Sequence, residues 1–238
     1  MLTRVAKNLL TPVRRSVHEL ARRHRHRELR RGLEALVADP AASLRPGGRN
    51  LARLVYGWGN EVWSAGDEYL RAVLTEALAS AGAVLECGSG LTTLVLACVA
   101  RRRRIEVWSL EHSSEWGERV GRELSRLNDG GLVLDVRPLR SWPEFDWYDA
   151  PRERMPSRFA LVICDGPPRN TRGGRYGLVP VMRQHLGPDT VILLDDAERA
   201  GEQYVVARWM QDLRAECATL GTRKPYFRLT VREPGGGA

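Results

Sequence analysis

Glu86, Gly88, Ser89 and Gly90 fall in the run Glu-Cys-Gly-Ser-Gly, after an apolar segment and before residues able to open a helix. This is the pattern of a strand entering a tight turn. Glycine leaves room for a ligand to approach the backbone and admits positive φ. The helix that follows, from Leu91 to about Arg101, would aim its free N–H groups at the same spot. Glu86 sits where a carboxylate could meet an ammonium group. A second acid, Glu111, ends the next strand-like run 21 residues beyond Gly90. That is the spacing at which an acid accepts ribose hydroxyls. The third glycine of a dinucleotide fingerprint is replaced here by Thr93.

A second constellation is acidic. Asp165 ends one apolar run, and Asp195 and Asp196 end the next. Adjacent parallel strands would bring all three carboxylates to one edge of a sheet, where they repel unless a cation or protons intervene. Three readings follow. The trio holds a divalent cation, with Mg²⁺ the fitting ion for a shallow oxygen site, and the metal acidifies a substrate hydroxyl. Alternatively, Asp165 or Asp196 acts as a general base without metal. In the third, these are capping or solvated loop acids.

The segments Glu86-Cys87-Gly88-Ser89-Gly90, Ser109-Leu110-Glu111-His112, Val162-Ile163-Cys164-Asp165-Gly166-Pro167 and Leu193-Leu194-Asp195-Asp196 resemble the class I S-adenosylmethionine-dependent methyltransferases. Within these, they are closest to bacterial small-molecule and glycan O-methyltransferases. The resemblance covers roughly residues 55–232. It implies that Gly88, Ser89 and Gly90 cradle the methionine part of S-adenosylmethionine, with Glu86 near its ammonium group. Glu111 would take the ribose hydroxyls, His112 and Trp116 would border the adenine, and Asp165 would edge the cofactor site. Cation-dependent members place acids where Asp165, Asp195 and Asp196 stand. The implied activity is methyl transfer to a hydroxyl of a small molecule or glycan, with S-adenosylmethionine as cofactor and Mg²⁺ as the candidate metal.

Two other functions compete. A nucleic-acid N-methyltransferase needs Asn/Asp-Pro-Pro-aromatic, but Gly166 separates Asp165 from Pro167-Pro168 and Arg169 replaces the aromatic. A non-catalytic module would bind a nucleotide-like ligand, or a partner through the basic amino-terminal segment.

The elements that must position these residues alternate between strand and helix along the chain. That alternation predicts an α/β, three-layer, open and mostly parallel seven-stranded sheet. Continuous apolar runs at 159–164 and 190–194 suit buried parallel strands. Helices are expected near 67–81, 91–101, 114–128, 175–186 and 200–215. Asp67 is placed to cap the first, and Asn128-Asp129-Gly130-Gly131 to end the third. Residues 138–157 read as irregular, and 226–231 as an edge strand. The glycine- and arginine-rich loop 166–176 would lie over the site, binding an acidic or hydroxylated substrate or simply moving freely.

The 238-residue chain carries a net charge of +8, unevenly distributed. Residues 1–54 hold 13 basic and 4 acidic side chains; residues 55–238 hold 24 and 25. The domains expected are a basic helical extension, 1–50, and a methyltransferase domain, 51–238. The extension's arginine-rich face at 13–38 is either solvated or a contact for an acidic partner, a second subunit or an anionic membrane surface. The near-neutral remainder argues against nucleic acid. The aromatic stretch 56–64, with Tyr56, Trp58 and Trp63, is either a plug at the sheet end or a lid. Cys87, Cys98, Cys164 and Cys217 lack metal-binding spacing, so a reducing cytoplasm is the expected compartment.

Overall fold

The computed structural model describes residues 2–59, 65–127 and 131–232, with side chains from His18 onward. The strands are β1 (Ala83–Cys87), β2 (Val107–Glu111), β3 (Leu132–Val136), β4 (Leu139–Ser141), β5 (Asp146–Tyr148), β6 (Phe159–Cys164), β7 (Leu186–Leu194), β8 (Ala215–Leu220) and β9 (Tyr226–Val231). The helices are α1 (Leu2–Ala38), α2 (Asn50–Trp58), α3 (Asp67–Ala79), α4 (Leu91–Arg103), α5 (Ser114–Leu124), α6 (Leu178–Met182) and α7 (Ala200–Asp212). Seven strands form one sheet in the order β3-β2-β1-β6-β7-β9-β8. Only β9 runs antiparallel to its neighbours β7 and β8.

Period-two alternation in the central strands builds a core on each face. Val84, Leu161, Ile163 and Leu193 face α3, α4 and the buried side of α5. Leu85, Cys87, Val162, Cys164, Ile192 and Leu194 face α6, α7 and β5. The expected three layers are therefore present. Helix α4 is buried along its whole length from Leu91 to Ala100 and then ends in Arg101–Arg103, whose charges complement the helix dipole.

The second half of α1 is part of this core. Leu29, Leu33 and Leu36 are buried against Leu51, Leu54 and the α3 leucines, so packing does not break at residue 50. Each such side chain contributes roughly 1.5–3 kcal/mol. Gly57 permits the crossing, since a Cβ there would stand 2.5 Å from the Leu29 backbone nitrogen. Further toward the amino terminus the helix leaves the domain: residues 18–24 are all exposed, including Leu20 at 62%. The exposed arginines partly pair within the helix, as in Arg23–Glu19 at 2.7 Å.

Several boundaries differ from expectation. Asp67 opens α3 as its first residue, with Gly66 as the cap. The 175–186 helix shrinks to Leu178–Met182 and one 3₁₀ turn, and β7 runs through Gly187-Pro188. The irregular 138–157 region contains the β4–β5 hairpin. The helix expected to 215 ends at Asp212 and gives way to β8; β8 is the edge strand, and β9 is interior. Of the aromatic stretch, Tyr56, Gly57 and Trp58 end α2, while residues 60–64 and the turn at 128–130 lie outside the described residues. No helix of the described residues is long and apolar enough to cross a membrane.

Candidate functional site

The carboxyl ends of β1, β2, β6 and β7 converge on a cleft of about 380 Å³. Its lining includes Gly88, Ser89, Glu111, His112, Trp116, Tyr148, Asp165, Asp196 and Lys224. The turns after β1 and β6 are knitted together: Asp165 and Gly166 both donate backbone N–H bonds to the Cys87 carbonyl, at 3.0 and 2.7 Å. Gly88 has φ +92°, which favours glycine. Gly90 is different. It is buried and extended, yet a Cβ there would meet nothing within 4 Å. The space it faces belongs to none of the described protein atoms.

Glu111 is almost fully buried and organises this half of the cleft. One carboxylate oxygen accepts from Ser89 N (3.0 Å) and Ser89 Oγ (2.7 Å); the other accepts from His112 N (2.7 Å) and Ser113 N (2.8 Å). Burial pushes its pKa up, but these hydrogen bonds, with His112 Nδ1 3.1 Å away, outweigh it and hold the carboxyl below its usual range. Ser113 caps α5 by accepting from Trp116 N, and the Trp116 indole donates to the Ser89 carbonyl at 2.6 Å. Behind Trp116, Trp58 makes an edge contact at 5.8 Å, and the Arg119 guanidinium lies over both rings.

Glu86, expected near an ammonium group, does not line the cleft, and its Oε1 has no hydrogen-bond partner among the described residues. The side chain is fully buried beneath the turn, facing α4. Its Oε2 accepts from Thr93 Oγ1 (2.6 Å) and Ser109 Oγ (2.5 Å), and Thr93 Oγ1 in turn accepts from Gly90 N at 2.7 Å. The acid shapes the turn from below.

The three aspartates do meet: one oxygen of each lies within 4.8 Å of the others. They differ in placement. Asp165 is 23% exposed and Asp196 3%, and both line the cleft; Asp195 is fully buried behind them. Two cationic side chains sit among them. Arg175, almost wholly buried, donates to Asp165 Oδ1 and Asp196 Oδ2 at 3.0 Å each, and to the Asp195 and Asp165 carbonyls at 2.8 Å. Lys224, from the β8–β9 turn, places Nζ 2.7 Å from Asp195 Oδ2 and 3.2 Å from Asp196 Oδ1. Arg199 adds a contact at 2.6 Å to Asp196.

A divalent cation does not fit this arrangement. An ion bridging Asp195 and Asp196 would share their carboxylates with the Lys224 ammonium and face the Arg175 guanidinium beyond. The electrostatics divide the trio. Burial, then the charge of Asp195, pushes Asp165 up to about 7. Burial also raises Asp195, against the attraction of Lys224. For Asp196, Arg175, Lys224 and Arg199 overcome the effect of burial and hold it low. Asp196 also adopts φ +65°, a conformation rare outside glycine.

Tyr148 carries a further signal. Its side chain is 1% exposed and lines the cleft, yet the buried hydroxyl has no hydrogen-bond partner among the described residues. Leaving such a group unsatisfied costs about 1–3 kcal/mol. Together with the open space at Gly90, it marks a cavity shaped for a polar ligand. The sequence places neither Tyr148 nor Lys224 at the site, and it marks Arg175 only as one residue of the 166–176 loop.

Beside the cleft lies a second cavity of about 760 Å³, which shares Arg169, Arg175 and Arg199 with it and adds Glu144, Glu202, Tyr204 and Arg208. Arg169 is exposed and makes no ion pair or hydrogen bond among the described residues. Arg208 stacks on Tyr176, 4.4 Å from the ring centre.

The strand order and antiparallel β9 decide the architecture. The fold is that of the class I methyltransferases. Among solved structures, the chain is similar to an O-methyltransferase from Bacillus cereus in complex with SAH, with 18% identity, TM-score 0.52, and coverage of 86% of this chain and 90% of that one. It is similar to the SAH-bound Podospora anserina methyltransferase PaMTH1, with 17% identity, TM-score 0.50, and coverage of 94% and 97%. It is also similar to the O-methyltransferase TomG from Streptomyces achromogenes, involved in tomaymycin synthesis and in complex with SAM, with 16% identity, TM-score 0.50, and coverage of 72% and 82%. No protein-family model and no curated protein sequence matches the chain.

Proposed function

We propose that the protein transfers the methyl group of S-adenosylmethionine to a hydroxyl of a small molecule that carries an anionic group. The observation that supports this best is the division of one cleft into two halves. On one side, the Gly88–Gly90 turn, Glu111, His112 and Trp116 present backbone, carboxylate and aromatic surface suited to an adenosyl ligand. On the other, Asp165 and Lys224 face the same space.

The residues fit the cofactor. Gly90 leaves the space into which its methionine part would lie, Tyr148 Oη offers a hydrogen bond unused among the described residues, and Glu111 would take the ribose hydroxyls. Carboxylates accept at about four lone-pair positions, and those of Glu111 are already engaged. Ribose hydroxyls would therefore displace the Ser89 hydroxyl, which can rotate away.

Methyl transfer is an in-line displacement at the sulfonium carbon. The acceptor oxygen forms the new O–C bond, the S–C bond breaks, and its electron pair neutralises the sulfonium. The hydroxyl proton must leave, and Asp165, with a carboxyl pKa near 7, is the group to take it. The protein's remaining task is positioning. The second cavity, lined by Arg169, Arg199 and Arg208, suits a phosphate or carboxylate on the acceptor, and the exposed Tyr204 offers a face for a ring.

Calorimetric titration with S-adenosylmethionine, S-adenosylhomocysteine and NAD tests the cofactor. Micromolar binding of the two adenosyl ligands alone is expected; absence of both would remove the reading. Assays on hydroxylated acids and sugar phosphates against neutral analogues then test the acceptor class. Arg169→Ala should raise KM for the anionic acceptor about tenfold, equivalent to one charged contact of ~1.4 kcal/mol, with kcat little changed. Adenosyl binding with no turnover on any acceptor would favour a non-catalytic module instead.

A further inference from the structure

The acidic trio belongs to a charge network that is nearly closed without any ion from solution. Asp165, Asp195, Asp196 and Glu202 contribute four carboxyl groups; Arg175, Arg199 and Lys224 contribute three cations, each within 4 Å of at least one of them. Arg175 is locked, with its side chain 3% exposed and both terminal nitrogens bonded to protein. Lys224 is not. Its side chain is 32% exposed, it arrives from a turn, and its ammonium reaches the cleft between two carboxylates.

We infer that Lys224 is the resident cation of this site, taking the place among Asp195 and Asp196 that a divalent metal would otherwise hold. This rests on the proposed methyl transfer for its catalytic consequence, but not for its binding consequence. The ammonium does two things a metal would do there. It neutralises carboxylates that would otherwise repel each other at the sheet edge. It also presents positive charge to an acceptor oxygen as its proton passes to Asp165. It does so as a point charge on a flexible stem, with no demand for octahedral ligands. Its anchor is topological: β9 pairs with β7 in the register Leu194–Phe227, so the turn before β9 must end beside Asp195.

The test uses the full chain and Mn²⁺ as the probe. Wild-type protein should show no Mn²⁺ binding by electron spin resonance at millimolar ion, and its turnover should be unchanged by EDTA. Lys224→Ala should vacate the position, bind Mn²⁺ with sub-millimolar affinity, lose turnover at least 100-fold in chelator and recover part of it with Mn²⁺ or Mg²⁺. Lys224→Arg should keep the charge and bind no Mn²⁺. Tight Mn²⁺ binding by the wild type, or EDTA-sensitive turnover, would overturn the inference. So would a folded Lys224→Ala protein that binds no Mn²⁺. The spin-resonance readout needs neither cofactor nor acceptor, so a wrong functional reading would show separately, as absent adenosyl binding.

Discussion

Gly88 and Gly166 lie back to back. A Cβ on Gly88 would stand 2.7 Å from the Gly166 nitrogen, and one on Gly166 would stand 2.8 Å from the Gly88 Cα and collide with the Tyr148 hydroxyl. The turn after β1 and the turn after β6 are thus a single packed unit, and each glycine is demanded by the other strand's backbone. Gly90, two residues on, is demanded by no atom of the described residues.

This separates two kinds of glycine by experiment. Gly88→Ala forces a side chain onto positive φ and into backbone, and should cost about 2–4 kcal/mol in chemical unfolding. Gly90→Ala should leave stability within about 0.5 kcal/mol yet weaken S-adenosylmethionine binding tenfold or more, because its methyl enters the ligand's space. Equal loss of stability in both variants would mean that the open space at Gly90 is filled by protein in solution.

Tyr148 invites a variant that improves one property while harming another. Its hydroxyl is buried and has no hydrogen-bond partner among the described residues. Tyr148→Phe should therefore leave the melting temperature unchanged or raise it. The same change should weaken adenosyl-ligand binding by about 1 kcal/mol, the net worth of one hydrogen bond. A drop in melting temperature with unaltered affinity would place a structural water, rather than a ligand, on that oxygen.

The base should show itself in pH dependence. Burial and Asp195 raise Asp165 to about 7, and the base must be deprotonated to act. Turnover is then lost as pH falls through 7 and level above it. The profile of kcat/KM, which reports the free protein, should show a single rise with midpoint near 7. Asp165→Asn should abolish that rise and reduce kcat by roughly 10²–10⁴-fold. Survival of the same midpoint in Asp165→Asn would move the base elsewhere.

What was legible in the sequence was what local pattern encodes. Glu111 and the acidic trio ended apolar strands, and the structure brings Glu111, Asp165 and Asp196 to the cleft with Asp195 buried behind them. Glu86 carried the same signal, yet its side chain points to the α4 face. A strand's period-two alternation tells which residues share a face, but not which face meets the ligand. Strand β8 was missed because five of its six residues are exposed, so neither alternation nor an apolar run marks it. Lys224 had no local signal at all: its place beside Asp195 depends on the pairing of β9 with β7, across some 30 residues of chain. Arg175 was legible as one arginine in a loop of several, but its burial among carboxylates was not.

Glu86 ties the stability of the fold to pH. Burial raises its carboxyl to about 7 from an unfolded value of 4.5, despite hydrogen bonds from Ser109, Thr92 and Thr93, with the nearby Glu111 charge adding to the rise. Between those two values the native state keeps a proton that the unfolded chain has released. Stability contributed by this group therefore falls as pH rises through the window from 4.5 to 7, and the loss is complete above it. At about 1.4 kcal/mol per unit, the loss is on the order of 3 kcal/mol. Glu86→Gln cannot ionise, so it should escape this decline. Urea unfolding of both proteins at several pH values between 4 and 8 would check it: the variant's stability relative to wild type should climb across the window and then hold constant. Parallel curves would show that Glu86 titrates normally and that solvent reaches the underside of the turn. Because Thr93 donates to Glu86 and accepts from the Gly90 N–H, the same titration would be felt in the turn. The variant's affinity for adenosyl ligands should accordingly vary less with pH than that of the wild type.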